Sequence, residues 1–179
     1  MTFMFCANEK FDSRCGDSWL SFVTWSGLHH ICEIVSTDEM LCPSLIDTLI
    51  DEDWNYNIQA DNRIHFFHNY EYLKRRVKYD SLRHNILALT ERPDRPPEVP
   101  DSFMFCGYDI LDSGDSISVL VNCGEFPSIF TTKDINQCGL LDNLDRATMI
   151  AETIRKNNPD DRHCWDCRVW GIARYIEAT

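Results

Sequence analysis

Four clusters in this chain carry residue types able to do chemistry. In His163-Cys164-Trp165-Asp166-Cys167 the two cysteines have the C-x-x-C spacing that lets two thiolates reach one tetrahedral zinc ion, with His163 as a neighbouring donor. A structural zinc site normally draws on a second pair; Cys138, His163, or Cys6 with Cys15 are the candidates, and none forms a tight doublet. The doublet also runs into a strand-like segment, whereas a thioredoxin-type redox motif opens a helix after a strand. His65 and His68, spaced i, i+3, can share one helix face, but no third ligand accompanies them, and partly buried histidines are expected. Asp109, Asp112 and Asp115 gather around the turn sequence Asp112-Ser113-Gly114-Asp115. Their spacing does not match an EF-hand loop, so they read as a solvated acidic loop suited to docking basic side chains. Cys123 precedes Gly124, where backbone amides can lower a thiol pKa, yet no histidine–acid pair marks it as a nucleophile. With no nucleophile elbow and no glycine-rich phosphate loop, no catalytic residue set is expected.

The elements that must position these residues follow from apolar periodicity. Residues 1–17 read as a loosely held lead-in. Residues 19–25 and 28–35, rich in aromatic and β-branched types around Ser26-Gly27, read as a hairpin or the start of a helix. Met40, Leu41, Leu45, Ile46, Leu49 and Ile50 recur at spacings of three and four, which predicts a helix from residue 37 onward with Pro43 in its first turn. A second helix is expected within 64–79, with Lys74, Arg75, Arg76 and Lys78 on its outer side. Residues 83–91 read as a strand. The four prolines of 92–100 read as an extended surface connector within one domain. Beyond it, strands are expected at 103–111, 116–123 and 168–176, and a helix at 143–157 with Asp142 as N-cap and Ala147, Ile150, Ala151 and Ile154 facing inward. The expectation is one α+β domain over 1–179, with an antiparallel sheet of about five strands packed on two or three helices.

Charge is unevenly spread. Residues 1–62 carry eleven acidic and two basic side chains, 63–92 three and seven, and 101–150 eight and two, within a formal net charge of −12. Such a surface disfavours nucleic acid and favours a basic protein partner; the stripe at 74–78 is better used as an internal ion-pair partner. The 44% apolar fraction marks a folded chain, and the absence of a long apolar run excludes a spanning helix. The N-terminal residues lack a signal-peptide pattern, so a cytoplasmic location is expected and the nine cysteines are read mainly as small buried hydrophobes.

The blocks Trp-Leu-Ser-Phe-Val-Thr-Trp-Ser-Gly-Leu at 19–28, Gly-Tyr-Asp-Ile-Leu-Asp at 107–112, Asn-Cys-Gly at 122–124 and Asn-Gln-Cys-Gly-Leu-Leu at 136–141, with Trp170, resemble small acidic cytosolic bacterial proteins of the kind that serve as immunity proteins of polymorphic toxin systems. The resemblance implies an α+β fold and masking of a toxin's active site; it carries over no functional residue. The functional expectation is an acidic binding protein that neutralises a basic partner. Its contacts are placed at Asp51, Glu52 and Asp53 and at Asp109, Asp112 and Asp115. The alternatives are a zinc-stabilised module using Cys164, Cys167 and His163, and a thiol-dependent enzyme.

Overall fold

Three apolar segments, at 84–91, 103–111 and 168–175, pair as neighbours in one sheet. The computed structural model of the protein describes residues 2–45, 66–112, 114, 117–122, 126 and 128–177. In chain order the described elements are β1 (Met4–Glu9), β2 (Phe11–Asp12), α1 (Asp17–Ser26), β3 (Glu33–Ile34), α2 (Tyr70–Arg76), β4 (His84–Glu91), β5 (Phe103–Leu111), α3 (Leu144–Asn157) and β6 (Arg168–Tyr175). The order β1-β4-β6-β5 makes a wholly antiparallel four-stranded sheet, and β2 and β3 form a separate two-stranded ribbon. The fold is α+β in a single domain. Both edges of the sheet are covered by backbone bridges: Phe67 and Ser44 along β1, Leu141 and Ser118 along β5.

The two sheet faces are covered differently. One face presents Phe5, Ala7, Ile86, Ala88, Phe103 and Ala173 to α2, which packs on β1 and β4. Farther along, Tyr108, Ile110 and Val169 meet the apolar stripe of α3, whose Ala147, Ile150, Ala151 and Ile154 are fully buried. The opposite face, with Met4, Cys6, Leu87, Leu89, Cys106, Leu111, Trp170 and Ile172, packs against Val35, Phe66 and Leu140 from irregular segments. A bulge in β5 between Phe105 and Gly107 shifts the alternation, so that Asp109, opposite Trp170, points to the loop-covered face.

Several sequence expectations are corrected. The lead-in 1–17 contains β1, an edge strand bonded to β4 over six residues. Of the two readings left open for residues 19–25, hairpin or start of a helix, the helix holds: Gly27, left-handed at φ 69°, ends α1 and donates its N–H to the Val23 carbonyl. The helix expected from residue 37 is absent over 37–45, its remainder lying outside the described residues. One turn closes there, with the Leu41 and Cys42 N–H groups on the Asp38 carbonyl. Pro43 and Leu45 then bond to Glu9 and Ala7 beside β1. The helix expected within 64–79 shortens to α2, capped by the Asn69 side chain accepting from the Tyr72 N–H at 3.1 Å. The cap of α3 is Asn143, not Asp142. Residues 117–122 make a bridge and a turn where a strand was expected, for a reason that lies in the buried carboxylates.

Candidate functional site

Asp109 is fully buried, and three donors converge on it. Its carboxylate accepts from the Ser36 hydroxyl at 2.6 Å, the Ser118 hydroxyl at 2.6 Å and the Ile110 N–H at 2.8 Å. Burial pushes its carboxyl pKa up to about 7, against the hydrogen bonds, which favour the charged form; the neighbouring Asp38 adds to the rise. Asp38 is also fully buried. It accepts from the Ser118 N–H and the Asn122 amide at 2.9 Å each, and from the Met40 N–H at 3.0 Å. Its own N–H reaches the Ser36 hydroxyl at 3.2 Å, and the Asn8 amide donates to the Ser36 carbonyl at 2.6 Å. Two carboxylates and two hydroxyls therefore tie the 36–42 and 117–122 segments to the sheet. The Val119 N–H still reaches the Ile110 carbonyl of β5 at 2.8 Å, but the Ser118 N–H turns to Asp38, and the Asn122 N–H closes a turn on the Ser118 carbonyl at 2.9 Å, so the pairing goes no farther. The two carboxylates and two hydroxyls of the network are buried, and they satisfy backbone donors that the loops leave without a main-chain partner.

Asp112, at the end of β5, is buried as well. Its carboxylate accepts from the Ile117 N–H at 3.3 Å and pairs with the His163 ring nitrogen Nδ1 at 3.0 Å. Two of the sequence-derived clusters, the acidic turn and the His163 region, thus meet in space. Their meeting reassigns both. Asp109 and Asp112 do not form an exposed docking turn, because buried hydroxyls, backbone amides and His163 occupy them. Asp115, Asp51, Glu52, Asp53, His65 and Cys123 lie outside the described residues.

The zinc expectation meets a donor set that does not fit. Cys164 and Cys167 are buried in the apolar cluster under α3, with the Cys167 Sγ 3.8 Å from the Ala151 carbonyl. His163 turns to Asp112, and among the described residues no group of three or more histidine, cysteine, aspartate or glutamate side chains can hold a metal ion. His68 is exposed just before α2.

The basic residues expected on the second helix are only partly internal partners. Lys74 donates to the Tyr175 hydroxyl at 2.6 Å and lies 4.4 Å from the centre of that ring, while Arg75 and Lys78 are exposed.

Three concave surfaces are lined by described residues, one of them a groove of about 380 Å³ that holds Arg92, Arg155 and Arg168. A cavity of about 510 Å³ beside the end of α1 is walled by Trp25, Leu28, Leu120, Phe126 and Phe130 and has no titratable side chain in its described lining. A second groove of about 380 Å³ runs between the proline-rich connector and the outer face of α3. Asp94, Asp145 and Glu152 line it together with Met149, which is 47% exposed. Those three carboxylates make no ion pair among the described residues, whereas the guanidinium groups just beyond the groove are engaged. Arg168 pairs with Glu91 at 2.9 Å and Asp166 at 2.6 Å, Arg92 with Asp166 at 3.7 Å, and Arg155 donates to the Cys167 carbonyl at 2.7 Å. Asp145, Met149 and Glu152 share a helix face at i, i+4 and i+7, a signal legible in the sequence; the arrival of Asp94 beside them is not.

Comparison with protein-family models, with curated proteins and with solved structures finds no match.

Proposed function

We propose that this chain is an acidic binding protein that neutralises a basic protein partner, in the manner of an immunity protein blocking a toxin domain. The observation that carries this reading is the groove along α3. Three exposed carboxylates that make no ion pair among the described residues line a concavity that also offers an apolar side chain, Met149. A cluster of charge of one sign raises the capture rate of an oppositely charged surface, and an apolar anchor desolvated at the centre slows release. The excess of acidic over basic residues, 29 against 17, supplies the long-range field. Asp51, Glu52 and Asp53 add to that net charge.

Affinity capture from the native host at low and high salt, with bound proteins identified by mass spectrometry, tests the partner. A stoichiometric basic protein that dissociates at high salt is expected. Expressed alone it should arrest growth, and co-expression of this chain should restore it. The triple variant D94K/D145K/E152K should slow association about tenfold at low salt and flatten the salt dependence. Unchanged association would remove the groove from the interface, and a partner that leaves growth unaffected would remove the toxin reading.

A further inference from the structure

Two thiols distant in sequence meet at the β5 bulge. Cys106 is buried on the loop-covered face, and the half-buried Cys138 packs against the same apolar cluster. Each thiol is the leading influence on the ionisation of the other, and the Cys106 S–H donates to the Met104 carbonyl oxygen at 3.5 Å. The backbones that carry them are fixed at close approach. The Asn136 amide donates to the Cys106 carbonyl at 2.9 Å, and the Asn136 side-chain oxygen accepts from the Cys138 N–H at 2.9 Å. Tyr108 and Leu141 exchange both N–H to carbonyl bonds at 2.8 and 2.9 Å. At Gly107, φ +138°, an added Cβ would fall 2.8 Å from the Leu140 Cβ, so only glycine lets the turn sit this near the strand.

We propose that Cys106 and Cys138 are a disulfide-forming modification site for peroxide-class oxidants, an inference independent of the partner-binding reading. The Cys138 thiolate attacks one oxygen of hydrogen peroxide, the O–O bond breaks and hydroxide leaves, giving a sulfenic acid. The Cys106 sulfur then attacks the Cys138 sulfur, the S–OH bond breaks, and the departing hydroxide takes the Cys106 proton and leaves as water. The two sulfurs lose two electrons in all, the peroxide gains them, and a thiol reductant reverses the change. The division of roles follows from the environment. The interaction with Cys106, aided by Arg174 on β6, holds the Cys138 thiol down at about 7, against burial and the nearby Glu33 and Asp142. The same interaction and burial push the Cys106 thiol up, which suits the resolving partner. Of the other buried thiols, Cys6 and Cys42 are pushed up chiefly by desolvation.

The test uses the full chain, first reduced and then exposed to dilute hydrogen peroxide at pH 7. Alkylation and peptide mass mapping follow, with the exposed Cys15 and Cys32 as internal references. Cys138 should be alkylated about fivefold faster than either reference, its thiolate gain being partly offset by lower intrinsic nucleophilicity. The main oxidation product should be a Cys106–Cys138 crosslink that dithiothreitol removes. In C106S, dimedone should trap a sulfenic acid at Cys138, and in C138S Cys106 should stay reduced. Alkylation that follows exposure alone, with Cys15 and Cys32 reacting first, would overturn the proposal, as would crosslinks that do not join this pair. The mapping on the unmodified sequence decides the matter even if a variant folds poorly.

Discussion

The two faces of the sheet solve the same burial problem with opposite chemistry. Under α2 and α3 the contact is dry: Ile86, Ala88, Ile150 and Ile154 bury apolar surface, and the helices satisfy their own backbone groups. Over the other face the cover is made of turns, whose amides have no internal partner. There the chain sends Asp38, Asp109, Ser36 and Ser118 inside to accept from Met40, Ile110, Asn122 and one another. The difference teaches that acidic residues in this protein do two jobs. Some give the surface its field, and others act as buried acceptors that make a loop-covered face possible.

The most damaging change should fall where the loop cover comes closest to the strand. Gly107→Ala places a Cβ 2.8 Å from the Leu141 carbonyl at a left-handed φ, and the expected loss is about 3 kcal/mol or more by denaturant unfolding. An unchanged midpoint would mean the cover is not held at this point. Asp109→Leu should follow at about 2–4 kcal/mol, since two hydroxyls and an amide lose their acceptor in the interior.

The same residue gives the loop-covered face a pH signature. The folded carboxyl of Asp109 keeps its proton up to about 7, whereas the unfolded chain releases it near 3.8. The native state therefore binds more protons in that window, and the contribution of Asp109 is complete below it and lost as pH rises through about 7. The slope approaches about 1.4 kcal/mol per pH unit for one proton. Thermal melts of Asp109→Asn and the unmodified chain across pH 4.5–7.5 should show the variant lacking this component; parallel curves would place Asp109 in contact with solvent.

On the helix-covered face the effects shrink to ordinary packing. Ile150→Val should cost about 1 kcal/mol with no pH dependence of its own. Smallest of all, Glu152→Lys on the exposed side of α3 should leave stability within about 0.5 kcal/mol, measured by urea titration, while altering partner association. A large stability loss there would make that carboxylate structural and weaken the distinction between the two acidic populations.

How much was legible depended on the range of the signal. The strands β4, β5 and β6 stood out as apolar runs set off by turn or proline-rich segments, and the helix α3 by its three–four spacing. β1 did not, since its apolar run is short and no turn residues set it off; its pairing with β4 defines it. Asp109 and Asp112 were misplaced as surface residues because they flank a turn sequence, and the partners that bury them, Ser36, Ser118 and His163, come from distant segments.

By itself the sequence determined the charge imbalance, the α+β class and the inward stripe of α3, all of which depend on composition or on neighbours within a few residues. Tertiary structure alone decided which carboxylates are buried, that His163 meets Asp112, that Cys106 meets Cys138, and that Asp94 joins Asp145 and Glu152 in one groove. Those outcomes arise where the chain returns on itself. There burial and the geometry of approach set a side chain's chemistry, and residue type with local spacing carries no information about either.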